Sequence, residues 1–167
     1  NTVDLASGMR IVTNNNTVTF SGVMSNGGLT KAGAGTMVLS GASSSFSGAT
    51  TIGAGALLVS GSLGSSAVTV SSGATLAGAG TVGSIAALAG TVSPGNSAGA
   101  AGTLTLGSGA AALGGGTYTC DVTGTGSTAC DLISAAGAVG AASALTINLP
   151  ASAPSGFSEC TSYSWTI

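Results

Sequence analysis

Residues 27–61 read GGLTKAGAGTMVLSGASSSFSGATTIGAGALLVSG, and inside them GAGTMVLSG (33–41) returns as GAGALLVSG (53–61). Each copy is a glycine corner, a short apolar strand and a second glycine corner. A unit this small cannot bury its own apolar face and becomes stable only when copies stack. The rule continues outward in both directions. TVTF (17–20) sets Val18 and Phe20 on one face, AVTV (67–70) sets Val68 and Val70, and TLTL (103–106) sets Leu104 and Leu106. TYTCDV aligns Tyr118, Cys120 and Val122; ALTINL aligns Leu145, Ile147 and Leu149; SYSWTI aligns Tyr163, Trp165 and Ile167. Period-2 alternation with Thr and Ser partners describes strands with one buried face. Glycine-rich corners supply positive φ angles at no steric cost, and outward hydroxyls can pair between stacked strands.

No window supports a long amphipathic helix, since Glu, Lys, Gln and Arg are almost missing and glycine recurs. The alanine-rich stretch 135–144, AAGAVGAASA, holds two internal glycines and runs straight into a strand, so it reads as corner and strand. The expected fold is all-β: a right-handed parallel β-helix (β-solenoid) with no significant helix. At roughly 20 residues per coil it has about eight coils, and at about 4.8 Å per strand it is a rod of roughly 40 Å. Four segments follow: 1–26, N-terminal strands; 27–61, the clearest repeat; 62–113, further coils; 114–167, late coils with the cysteines. Strand-like sequence at both ends, with no cap in view, predicts a processed piece of a longer secreted protein whose open edges are covered by neighbouring coils or copies of itself.

Only 4% of the 167 residues are charged, 30 are glycine, and 44% are hydrophobic. That balance excludes disorder, which pairs low hydrophobicity with high net charge. Three prolines and no every-third-residue glycine exclude collagen. Asp4, Asp121, Asp131 and Glu159 against Arg10 and Lys31 give a net charge of −2. No cluster of cations can neutralise phosphates, which excludes a nucleic-acid partner. No apolar run reaches the roughly 18 residues of a membrane span, and no basic amphipathic stretch suits a membrane surface.

Residues 27–61 resemble the passenger-associated transport repeat, also called the autotransporter-associated β-strand repeat. Gly28, Leu29, Lys31, Gly33, Gly35, Leu39, Gly41, Phe46, Gly48, Thr51, Ile52 and Gly55 carry the pattern in order. The later phrases GAGTVGS, SPGNSAG and TLTL, and Asp131 before an apolar pair, are similar to the downstream course of such passengers. The resemblance implies a parallel β-helix exported across the outer membrane to a bacterial cell surface or secreted, acting as stalk, scaffold or adhesive passenger. Three cysteines and very low charge depart from the family, and the resemblance does not extend to a membrane β-barrel.

The chemistry available is narrow. Without histidine, no Ser-His-Asp or Cys-His arrangement can form. Three dispersed cysteines do not make a zinc ligand set, the turns lack the aspartates of calcium-binding solenoids, and GAGTMV lacks the lysine and helix of a phosphate loop. No catalytic residue, cofactor or metal is expected. Asp121 and Asp131 could pair as in β-helix enzymes that act on polysaccharides, but no third acid, arginine or aromatic platform joins them; solvation or corner hydrogen bonding is the expectation. Cys120 and Cys130, joined by TGTGST, are expected to bridge in an exported protein, with free buried thiols as the alternative. Cys160 is then free or pairs with another segment or chain. Lys31 is expected to be solvated rather than crosslinked to an Asn or Asp with help from Glu159. Trp165, Tyr163 and Phe157 are expected to cap a thin core rather than form a sugar platform. Asn15 lies in the sequon Asn15-Asn16-Thr17, uninformative in a bacterial protein. Expected partners are neighbouring coils of the same longer protein or copies of itself, and glycans or proteins of host or cell surfaces. The functional expectation is a structural or adhesive extracellular segment; a self-assembling filament or surface-array subunit is second, and a carbohydrate-active enzyme a distant third.

Overall fold

The chain coils in a regular order, three stations per coil. The structure, a computed structural model, describes residues 2–149 except 44, 98, 108 and 124–129. The first coil lays down β1 (Thr2–Asp4), β2 (Met9–Val12) and β3 (Thr17–Phe20), and the second β4 (Val23–Ser25), β5 (Leu29–Ala32) and β6 (Thr36–Leu39). The third and fourth keep two strands each: β7 (Thr50–Ile52) with β8 (Gly55–Val59), then β9 (Ala67–Val70) with β10 (Ala74–Gly78). The fifth has β11 (Thr81–Val82), β12 (Ser84–Leu88) and β13 (Thr91–Pro94). The sixth has β14 (Thr103–Leu106), β15 (Ala111–Ala112) and β16 (Thr117–Thr119), and the seventh β17 (Leu132–Ala135), β18 (Val139–Gly140) and β19 (Thr146–Asn148).

Every pairing between these strands is parallel, and three faces result. The second face stacks β2-β5-β7-β9-β12-β15-β18 and the third β3-β6-β8-β10-β13-β16-β19, seven strands each. The first face is thinner: β1-β4 and β11-β14-β17 are separate sheets, and between them single bridges Ala42–Ser62 and Ser62–Thr81 lead to β11 while the Met24 amide of β4 donates to Ser43 Oγ. Among the described residues there is no helix, and the stretch 135–144 holds β18, as its glycines foretold. The architecture is the expected parallel β-solenoid. The described residues make seven coils, and the late ones are longer than the expected length of roughly 20 residues: Thr91 to Thr117 and Thr117 to Thr146, paired neighbours on the third face, are 26 and 29 residues apart.

The core is a set of columns. On the third face Val18, Met37, Leu57, Leu76, Val92, Tyr118 and Ile147 stand above one another in register. On the second, Met9, Leu29, Thr50, Val68, Ile85, Ala111 and Val139 do the same. Met37, Leu57, Leu76 and Val92 are fully buried, so each removes its whole side chain from water, about 1.5–3 kcal/mol apiece. Phe46 fills the corner of the serine-rich loop and is fully buried too. Outside the third face runs a second column, Thr17, Thr36, Ala56, Thr75, Thr91, Thr117 and Thr146. The small corners allow this tight stack. A Cβ at Gly48 would collide with the carbonyl of Gly27 in the coil before it, and Gly33 turns with a φ of +78°.

Candidate functional site

Two places in the solenoid gather charged side chains. The first is the corner after β5. Lys31 stands in an inward column, between Ile11 of the preceding coil and Ile52 of the next. It is completely buried, and its Nζ donates to the carbonyls of Gly33 (2.7 Å), Ala54 (2.8 Å) and Ala32 (3.3 Å). The expectation of a solvated lysine is therefore overturned. Strand alternation puts Lys31 on the same side as Leu29, and its stem is long enough to reach the corner carbonyls of Gly33 and Ala54, besides that of Ala32, which also accepts from the Thr13 amide. Burial lowers its pKa from the ordinary lysine value. Among the described residues no carboxylate pairs with it, and Glu159, the carboxylate expected to assist a crosslink, lies outside them. Close by, Thr13 is buried with its Oγ1 unpartnered among the described residues.

The remaining residues of the repeat pattern divide between core and corner. Leu29, Leu39, Phe46 and Ile52 are core. Gly33 and Gly55 take positive φ, while Gly28, Gly35, Gly41 and Gly48 lie against the backbone of the neighbouring coil. Thr51 points outward between Thr30 and Thr69.

The second place is a side outgrowth where the sixth and seventh coils lengthen. Here Gly99 and Gly102, before β14, meet Asp121 and Asp131, before β17. Val122 and Cys130 form an antiparallel bridge, and so do Gly78 and Gly95 at the foot of the 95–102 loop, whereas the strands of the three faces pair in parallel. Asp121 and Asp131 are both buried. Asp131 accepts from the Gly102 amide through Oδ1 (2.7 Å) and from the Asp121 amide through Oδ2 (3.0 Å), while Asp121 Oδ2 accepts from the Gly99 amide (2.9 Å). Tyr118 Oη donates to the Asp131 carbonyl at 2.7 Å. Burial raises the Asp131 pKa above the ordinary carboxylate value, opposed by the amides of Asp121 and Gly102. The expected corner hydrogen bonding is present; outward solvation is not. The two carboxylates act as clamps on loop backbone. Sequence reasoning placed them near each other but had no sign that loop 95–102 would supply the donors.

The expected Cys120–Cys130 bridge does not form: both are free thiols, Cys120 buried and Cys130 half-buried. Register explains it. Cys130 lies opposite Val122, so Cys120 is its diagonal neighbour. Diagonal positions are about 7–8 Å apart, whereas a disulfide needs Cβ atoms about 3.5–4.5 Å apart. Cys120 Sγ lies instead 3.8 Å from the Asp131 carbonyl, and burial raises its pKa. Cys160, Glu159, Phe157, Tyr163 and Trp165 lie outside the described residues. Among the described residues, no group of three His, Cys, Asp or Glu side chains could hold a metal ion.

Comparison with known families finds one match. The model of the passenger-associated-transport-repeat matches residues 29–59, from β5 to the end of β8. Those residues, folded as β5 to β8 on two successive coils, fit an autotransporter passenger repeat. No curated protein matches the chain.

Proposed function

From this repeat and the solenoid around it we propose that the chain is a structural segment of an exported, autotransporter-like surface protein, serving as stalk or adhesive passenger. The carrying observation is the match of residues 29–59 to a passenger repeat within a seven-strand stack. The physical case agrees with it. A tube with a continuous aliphatic core and hydroxyl-bearing walls resists bending and tolerates water without charge. Both charged clusters are turned onto the chain's own backbone rather than toward a cleft. That supports a non-catalytic role. The adhesive partner class is glycans or proteins of a host or neighbouring cell surface.

The test is made on cells producing the full-length parent protein. Protease added outside intact cells is expected to remove the segment recognised by an antibody to this chain. Protection in intact cells, with cleavage only after lysis, would overturn export to the surface. Beads carrying the purified chain test adhesion: retention on host-cell or glycan-coated surfaces supports the adhesive role, and none leaves the stalk.

A further inference from the structure

Only one asparagine in this chain precedes a glycine: Asn26, in the bend between β4 and β5. It is exposed and, with Asn15, is one of two non-glycine residues that the described backbone holds at positive φ, 57° and 55° respectively. Its Nδ2 donates to Asp4 Oδ1 at 3.0 Å, and the same oxygen accepts from the Ala6 amide at 3.0 Å. This clasp joins the end of β1 to the end of β4 on the thinner first face, where Asp4 pairs with Ser25. Packing fixes the glycine that follows. Gly27 has a φ of +49°, and a Cβ there would collide with the Leu5 carbonyl. No side chain therefore shields the Gly27 nitrogen, and among the described residues its amide donates to no acceptor.

We propose that Asn26 is a site of spontaneous deamidation, and that the reaction turns its clasp with Asp4 into a repulsion. The Gly27 backbone nitrogen bonds to Asn26 Cγ as the Cγ–Nδ2 bond breaks. Ammonia leaves with the proton given up by the Gly27 amide, and a cyclic imide remains. Water then opens the ring. Attack at Cγ leaves an ordinary aspartate, whereas attack at the former Asn26 backbone carbonyl leaves the isomer whose main chain runs through Cγ. Water is consumed, ammonia is released, and nothing is oxidised or reduced. Either product exchanges a neutral donor for a second negative charge beside Asp4, so an attraction is lost and like charges face each other. The isomer also lengthens the backbone between β4 and β5 by one carbon. Asn15 and Asn96 supply the comparison within the same chain. Both are exposed, Asn15 shares the φ of Asn26, and their successors Asn16 and Ser97 carry side chains that hinder the nitrogen's approach to Cγ.

The test holds the whole folded chain in mildly alkaline buffer for days and follows it by peptide mass mapping. The Asn26 peptide is expected to convert to aspartate and isoaspartate several-fold faster than the peptides of Asn15 and Asn96. Conversion no faster than theirs would overturn the proposal. The clasp is read separately, through hydrogen exchange at the Ala6 amide and at the Leu5 amide, which donates to the Ser25 carbonyl at 2.8 Å. Asn26→Asp makes the charge change directly and is expected to quicken that exchange several-fold. Adding Asp4→Asn restores a donor opposite the carboxylate and is expected to return exchange toward the native rate. Unchanged exchange in Asn26→Asp would overturn the repulsion, and so would quickened exchange that Asp4→Asn fails to reverse. The chemistry needs only water, so failure of the surface assignment would leave it standing.

Discussion

The corner at Lys31 and the outgrowth at Asp131 solve the same problem with opposite charges. In the regular coils, an ammonium reaches from inside to the corner carbonyls of Gly33 and Ala54. In the late coils, the Gly99, Gly102 and Asp121 amides are met by the carboxylates of Asp121 and Asp131. A chain with two cations and four anions thus commits at least four of them to its own backbone, Asp4 included through the Ala6 amide. The difference lies in what each clamp joins. Lys31 ties one coil to the next within the tube, so its loss should be felt globally. Asp131 ties an appendage to the tube, so its loss should be felt locally.

Lys31→Ala should break the comparison most severely. It removes three donors and leaves a cavity in a packed column, at a cost of about 3 kcal/mol, seen as a lower urea midpoint for the whole strand signal. Asp131→Asn comes next. One acceptor oxygen is replaced by an NH₂ facing an N–H, a cost of about 1–2 kcal/mol; it should appear as faster proteolysis between Gly95 and Gly102, with the midpoint of the tube moving less. Thr13→Val should move the other way. It replaces an unpartnered buried hydroxyl with a methyl of similar size, and stability should rise by about 1 kcal/mol. Thr91→Val, on the outward threonine column, should change stability by less than about 0.5 kcal/mol.

Titration sharpens the same contrast. The Lys31 pKa is lowered in the folded chain, so the unfolded chain holds more protons between that value and 10.5. Stability should therefore rise as pH climbs through that window. The Asp131 pKa is raised, so the folded chain holds more protons just above 3.8, and stability should fall as pH rises through that window. Denaturation midpoints across both windows, with Lys31→Ala and Asp131→Asn as references, should show each slope vanish in its own variant.

The repeat itself was legible because alternation and glycine corners are local signals. Val68 with Val70, and Leu104 with Leu106, are core as read. The orientation of Lys31 was hidden by composition: a lysine reads as a surface residue, and only its place in the alternation between Leu29 and the corner points inward. Cys120 and Cys130 were close in sequence, but the offset that separates the thiols belongs to the register of the Val122–Cys130 bridge, which the nine intervening residues do not encode locally. The clamps of Asp121 and Asp131 needed a loop more than twenty residues upstream, and no periodicity announces such a contact.

By itself, then, the sequence determined that this chain must stack. Short amphipathic strands with one apolar face cannot be stable alone, and glycine at the corners lets successive coils approach within strand-pairing distance. Tertiary structure decided which backbone groups lie within reach of its few charged side chains, and therefore where those charges go. Those outcomes depend on register between coils, a property of neighbours that are distant in sequence and adjacent only after folding.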